Sequence, residues 1–233
     1  MRYLIKYTKE SHIKFISHLD LMRTIQKIIR RSELPVKYSE GFNPHMSLSI
    51  AQPLSVGVYS AGEYLDTILL EEVDEKEVID RLNEKTASGI KFITAKKIPQ
   101  VENEKKVPQA MALIDACRYT IKILYKNTEK LEEEMSNLLS QTEWKTIKKS
   151  KKGEKEVDLK TFIFEFKHWI KDNELILNVL IKSGSREHLA ADVLSDYIIE
   201  NTSDADKDAF VDIKREEMYL MKDEKLVPLY NCI

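Results

Sequence analysis

Arg2–Thr8 alternates apolar and polar positions and is rich in Tyr, Leu and Ile, the pattern of a half-buried strand. From His18 to Ser32 the period changes. Leu19, Met22, Ile25, Ile28 and Ile29 recur at three- and four-residue spacing, which predicts an amphipathic helix. Ser17 is a suitable N-cap for it, and Asp20, three residues on, can act as the acidic member of a capping box. Leu34-Pro35-Val36 begins a new extended segment. Ser47–Pro53 and Glu63–Leu70 read as strands, Asp74–Lys85 as a helix with Val78, Ile79 and Leu82 on one face, and Gly89–Lys97 as another strand. Pro99–Val107 is charged, flanked by proline and without periodicity, so it reads as a linker or surface crossing.

The second half follows the same plan with different residues. Arg118–Leu124 alternates as a strand, and Thr128–Ser140 is helical with Asn127 or Thr128 as its cap. Trp144–Ile147 and Phe162–Phe166 read as strands around a lysine-rich tip centred on Gly153, and Glu174–Lys182 is a strand with Leu175, Leu177, Val179 and Ile181 in alternation. His188–Glu200 reads as a helix and Phe210–Leu220 as a closing strand. The order predicts an α+β protein of two tandem ferredoxin-like (split βαβ) sandwiches: a domain at 1–98, a linker at 99–110 and a second domain at 111–233.

The chain has 233 residues, 42% hydrophobic and 33% charged, which suits a protein with a buried core. No apolar run approaches membrane-spanning length, and the N-terminus lacks the pattern of a signal peptide, so the expectation is a cytoplasmic protein without a membrane. The two cysteines, Cys117 and Cys232, have no partner at metal-ligand spacing, which argues against a structural zinc site or an iron–sulfur cluster. The net charge is only −2, but Met1–Leu48 holds nine Lys/Arg against four acids, and Glu63–Glu84 reverses the balance. A neutral protein with one basic face can still hold a polyanion. The lysine-rich tip could neutralise phosphates in the same way, or serve only as a solvated loop.

Candidate chemistry concentrates in two segments, Ser17-His18-Leu19-Asp20 and Tyr38–His45, which reads Y-S-E-G-F-N-P-H. Gly41 can take a positive φ, and Pro44 keeps Asn43 out of helical geometry, so the second segment is a shaped loop. Its Asn43 can read a base edge or bond backbone. Phe42 can stack a base or plug the core, and taken alone it reads better as a core plug. His18 and His45, with Tyr38, are candidates for acid–base work on RNA. A metal reading would use His12, His18, Asp20 and His45, but neither arrangement has diagnostic spacing, and the expectation is no metal and no cofactor. Phosphate-binding glycine loops, G-x-S-x-G and H-E-x-x-H do not occur. The binding set expected here is His18, Asp20, Arg23, Arg30, Arg31, Tyr38, Phe42, Asn43 and His45, with the arginines on phosphate.

F-I-S-H-L-D-L-M-R (Phe15–Arg23) and L-P-V-K-Y-S-E-G-F-N-P-H (Leu34–His45) resemble the radical SAM-associated (radical SAM-linked) protein family. P-L-S-V-G-V (Pro53–Val58), E-Y-L-D (Glu63–Asp66) and, more weakly, E-V-D-L (Glu156–Leu159) extend the resemblance. It implies a partner, a radical SAM protein with a cobalamin-type domain, and makes RNA a candidate substrate. The chain departs from the family at Glu10-Ser11-His12, where a glycine is usual, at Met46, and at Lys160-Thr161 after the V-D-L motif. The leading expectation is a non-catalytic, RNA-binding or substrate-presenting accessory protein. The alternatives are a stand-alone RNA-processing or RNA-modifying enzyme using His18 or His45, and a protein-interaction module that never touches nucleic acid.

Overall fold

A computed structural model describes residues 1–99, 107–150 and 153–231, and at 148–150, 154 and 155 the backbone alone. Most of the expected linker, Cys232 and most lysine side chains of the basic tip therefore lie outside the described residues. The protein is α+β, with two compact units: Met1–Asp115 joined by Arg215–Ile233, and Ala116–Lys214.

In the first unit, β1 (Arg2–Lys9) leads through a short turn to α1 (His18–Arg31), followed by β2 (Leu48–Ile50), β3 (Val58–Ile68), α2 (Glu75–Glu84), β4 (Ile90–Ile98) and the single turn α3 (Ala110–Leu113). β1 lies between β3 and β4 and is antiparallel to both, and β2 is antiparallel to the far half of β3. The register Tyr3↔Thr67, Ile5↔Leu65, Tyr7↔Glu63 puts Tyr3, Ile5 and Tyr7 on the face that receives the helices. Leu21, Ile25, Ile28 and Ile29 of α1 and Val78 and Leu82 of α2 bury against them. Leu19, assigned to that stripe by spacing, is instead exposed. At 3.6 residues per turn it lies roughly 120° around the helix from Ile25. Ser17 caps α1 by accepting from the Asp20 amide, and Asp74 does the same for α2 through the amides of Lys76 and Glu77.

The second unit contains β5 (Ala116–Leu124), α4 (Leu131–Ser140), the hairpin β6 (Lys145–Ser150) and β7 (Gly153–Asp158), β8 (Ile163–Lys171), β9 (Glu174–Lys182) and α5 (Ala191–Glu200). β9 pairs antiparallel with both β5 and β8. Lys145–Ser150 pairs with Gly153–Asp158, and Phe162–Phe166 runs instead into β8, whose partner is β9. The base of the β6–β7 pair is closed at Trp144, whose carbonyl accepts from the Leu159 amide at 2.9 Å and whose amide donates to Asp158 Oδ1 at 2.8 Å, while its indole packs against Phe166 and Tyr197 at 5.5 and 5.6 Å.

Two further strands, β10 (Asp212–Lys222) and β11 (Lys225–Pro228), pair with each other. From Arg215 onward this segment belongs to the first compact unit. Arg215 forms an ion pair with Glu63 of β3, its carbonyl accepts from the Ser60 hydroxyl, and the chain passes so close to Gly62 that a Cβ there would stand 2.6 Å from the Glu216 carbonyl oxygen. Bonds of this kind join residues about 150 positions apart, which no local pattern reports.

Candidate functional site

The expected site residues fall in two places. At the start of α1, the Ser17 hydroxyl donates to Asp20 Oδ2 at 2.7 Å, and Arg23 Nη1 lies 3.1 Å from Asp20 Oδ1. The Ser17 hydroxyl, aided by the Arg23 guanidinium, holds the Asp20 carboxyl below its ordinary range. Asp20 and Arg23 are exposed and Ser17 half-buried, so the cluster is a reinforced helix cap. His18 faces the core side of the helix, and its Nδ1 is buried with no hydrogen-bond partner among the described residues.

The other group is the loop after α1. Lys37 donates its amide to Ile68 O, Ser47 donates to Lys37 O, and Tyr38 forms an isolated bridge with Met46. Beyond this root, the Ser39 amide donates to His45 O at 2.8 Å and the His45 amide to Ser39 Oγ at 2.9 Å, closing a loop over residues 40–44. Gly41, at φ +116°, makes the bend. Glu40, Phe42, Asn43, Pro44 and His45 are all exposed, and Phe42 is completely so. The core-plug reading of Phe42 is thus corrected. With both ends of the loop pinned to backbone near Ile68, residue 42 projects to solvent instead of reaching the interior.

Among the described residues, no hydrogen bond or ion pair joins His18, Asp20 or Arg23 to Tyr38, Asn43 or His45. The start of α1 is anchored at the Lys9 end of β1, whereas the loop root is bonded to Ile68, which pairs with Arg2 at the other end. Eight strand residues, roughly 25 Å, separate those two anchor points. No group of three or more His, Cys, Asp or Glu is placed to hold a metal among the described residues. His12 rests on Ser88 at 3.1 Å.

Between the two groups runs the outer face of α1. Arg23, Lys27, Arg30 and Arg31 are exposed along it, and Lys37 is exposed at the loop root. Lys27, Arg30, Arg31 and Lys37 make no ion pair among the described residues. This follows from the helix period: the core stripe takes Leu21, Ile25, Ile28 and Ile29, leaving the cations on the far side.

Sequence reasoning missed a buried charged cluster in the same unit. Arg215 Nε and Nη2 lie 2.7 and 2.6 Å from the two carboxylate oxygens of Glu63, and Nη2 also donates to Gln52 O at 3.0 Å. The ammonium of Lys9, also buried, donates to the carbonyls of Lys14, Ile16 and Val58. Burial lowers the pKa of Lys9; the Glu63 carboxylate opposes this and Arg215 adds to it. The phenol oxygen of Tyr7, cross-strand from Glu63, is buried with no hydrogen-bond partner among the described residues. E-Y-L-D was the one available signal. Glu63 holds Arg215, while Asp66 holds Arg2 at 2.7 Å and the Ala110 amide at 2.7 Å, so both carboxylates secure the fold.

The phenols here give a pH prediction. Burial raises Tyr7 well above its ordinary pKa, with the Glu63 carboxylate adding to the shift. Tyr64 is raised by burial first and then by Glu217, whose carboxylate accepts a hydrogen bond from the Tyr64 hydroxyl at 2.7 Å. An unfolded phenol ionises near pH ~10, whereas these stay neutral in the fold. The stability these two buried phenols contribute is therefore fully present below about pH 10 and is lost as pH climbs above it. Phenolate absorbance from these residues should appear together with the loss of far-UV circular dichroism. Full ionisation of the chain's ten tyrosines in a still-folded protein would contradict it.

The family model described as "uncharacterized protein conserved in bacteria (DUF2344)" matches residues 2–191. The chain belongs to this family. The DUF2344 match takes in α1, the Tyr38–His45 loop and Glu63, and ends before Arg215. No curated protein matches this DUF2344 member. Among solved structures it is similar to a chain of a Cbf5-Nop10-Gar1 complex, with TM-score 0.49 and 9% identity over 93% of this chain and 48% of that one. The DUF2344 chain thus spans about half the length of that relative. A second similarity is to an unknown protein from Galdieria sulphuraria, with TM-score 0.26 and 11% identity over 92% of this chain and 96% of that one. Among the described residues no helix is long and apolar enough to cross a membrane.

Proposed function

We propose that this protein is an RNA-binding accessory module that works with a radical SAM enzyme, using the outer face of α1 and the Tyr38–His45 loop. The observation that carries this reading is the placement of a completely exposed aromatic ring, Phe42, on a pinned loop that follows a row of unpaired cations. A solvated helix face accounts for Lys27, Arg30 and Arg31 on their own, but not for a phenylalanine held in water. Cations on phosphate with an aromatic on a base are the usual division of labour in RNA recognition. The antiparallel order β4-β1-β3-β2 beneath α1 and α2 supports a ferredoxin-like reading of the first unit. The resemblance of Phe15–Arg23 and Leu34–His45 to the radical SAM-associated family supports the partner. So does the exposure of Phe15, Leu19 and Val56, since the Gly57 amide donates to Lys14 O and brings the last of these beside the first.

Fluorescence anisotropy with labelled tRNA and rRNA fragments tests this. Each neutralised phosphate adds about 0.7–0.9 to the slope of log affinity against log salt, so Arg30→Ala/Arg31→Ala should reduce that slope by roughly 1.4–1.8. Its circular dichroism should remain that of the parent. Absence of salt-dependent binding in the parent protein would defeat the proposal, and RNA cleavage or modification by the purified protein, abolished in His45→Ala, would replace it with the enzyme reading.

A further inference from the structure

We infer that the Tyr38–His45 loop takes an unpaired nucleobase, so that the RNA it selects is single-stranded at this point; the inference rests on the RNA-binding reading above. Phe42 offers both faces of its ring to solvent, and a ring face is useful only to a partner with a free face of its own. In an RNA duplex the base faces are stacked on one another, and the deep major groove is too narrow for a side chain to enter. A base in a loop, bulge or end has its face available.

The loop is built to hold the ring outward. The Ser39–His45 bonds fix both ends, Gly41 turns the chain, and Pro44 restricts Asn43 to extended geometry. A loop backbone fixed in advance loses little conformational freedom on binding, which favours stacking on the ring it carries. Asn43 is next in the chain, with its amide exposed, and can bond the edge of the base stacked on its neighbour. The exposed apolar groups here are Phe42, the neighbouring Pro44 and the partly exposed Tyr38, set among Ser39, Glu40, Asn43 and His45, still much smaller than a protein partner's interface needs. Glu40 repels phosphate, so the backbone of the strand runs toward Lys37, Arg31 and Arg30, not across the loop tip.

The test compares three RNAs in the same salt: an unstructured strand, the same strand annealed into a blunt duplex, and a hairpin with an unpaired loop. A fluorescent base analogue, 2-aminopurine, is placed in the unstructured strand. The strand and the hairpin should bind tighter than the duplex by about 5- to 150-fold, the affinity of one stacked base. The analogue should be quenched on binding. Phe42→Ala should abolish both the preference and the quenching, whereas Phe42→Trp should keep them. The ring touches no core, so both variants retain the parent circular dichroism. Equal affinity for strand and duplex, unchanged in Phe42→Ala, would overturn the inference and leave RNA binding intact. No binding to any of the three would overturn both readings. If Phe42→Ala instead released a co-purified protein while RNA affinity stayed the same, the loop would be a protein contact and the inference would fail.

Discussion

Arg215→Met and Glu63→Leu each destabilise the protein by about 3–5 kcal/mol, and the double variant recovers most of that loss. Both side chains are essentially without solvent exposure, and both Glu63 oxygens are engaged by Arg215 at 2.7 and 2.6 Å. Removing Arg215 strands a carboxylate in the interior beside Tyr7, whose hydroxyl could then donate to it but could not supply a charge. Removing Glu63 strands a guanidinium next to Lys9, a second buried cation. Replacing both leaves two apolar side chains of similar volume, and the desolvation penalty disappears with the charges. For a chain of this size, 3–5 kcal/mol corresponds to a fall in melting temperature of roughly 6–20 °C. Thermal melts followed by far-UV circular dichroism would measure it. Single variants as stable as the double would mean that the pair is solvated in solution and that Glu63 and Arg215 are not an interior bond. The RNA readings make a separate prediction for the same proteins. Folded Arg215→Met should keep the parent RNA affinity, because the cluster is buried and is not on the exposed outer side of α1.

The parts of this fold that were legible in the sequence are those governed by short-range periodicity. The strand at Arg2–Lys9, the helix at His18–Arg31 with its Ser17 cap, and the strand at Glu174–Lys182 each have their cause within a few residues. Leu19 shows the limit. A three-residue spacing to Met22 looks helical, but only the angle around the axis decides which face it occupies, and the stripe is centred on Leu21 and Ile25. The pairing of β6 with β7 was not legible because Lys145–Asp158 alternates weakly, and the bonds that close its base join Trp144 to Asp158 and Leu159, fourteen and fifteen residues on. The pairing of Arg215 with Glu63 was beyond reach, since its partner lies more than a hundred residues earlier. At the candidate site, residue types were legible and their exposure was not. Gly41 and Pro44 announced a shaped loop, but whether Phe42 faced the core or water depended on the long-range bonds of Lys37 and Ser47 to the end of β3.

Trp144→Ala should be as costly to the second unit as the loss of Arg215 is to the first, at about 3–5 kcal/mol. The indole is 1% exposed; it meets Phe166 edge-on and stacks on Tyr197, and its N–H donates to Leu138 O at 2.9 Å. Deleting it opens a cavity and removes a hydrogen bond near the C-terminal end of α4. It also exposes the Lys160 ammonium to a void, since that group lies 5.3 Å over the indole while donating to Leu139 O and Gln141 O. Asp158 completes the arrangement by accepting from the Trp144 and Lys160 amides at 2.8 and 3.0 Å. This gives the lysine at 160, one of the departures after the V-D-L motif, a structural role: its charge complements the carbonyl end of α4. Trp144→Phe keeps an aromatic ring but not the N–H bond, and should cost less than Trp144→Ala. Trp169 provides the internal comparison, because it is 44% exposed on β8 and Trp169→Phe should change stability by no more than about 0.5 kcal/mol. Urea melts of the three variants decide the matter. A Trp144→Ala protein that unfolds at the parent midpoint would mean that the packing of Trp144 against Phe166, Tyr197 and the end of α4 does not hold the second unit together.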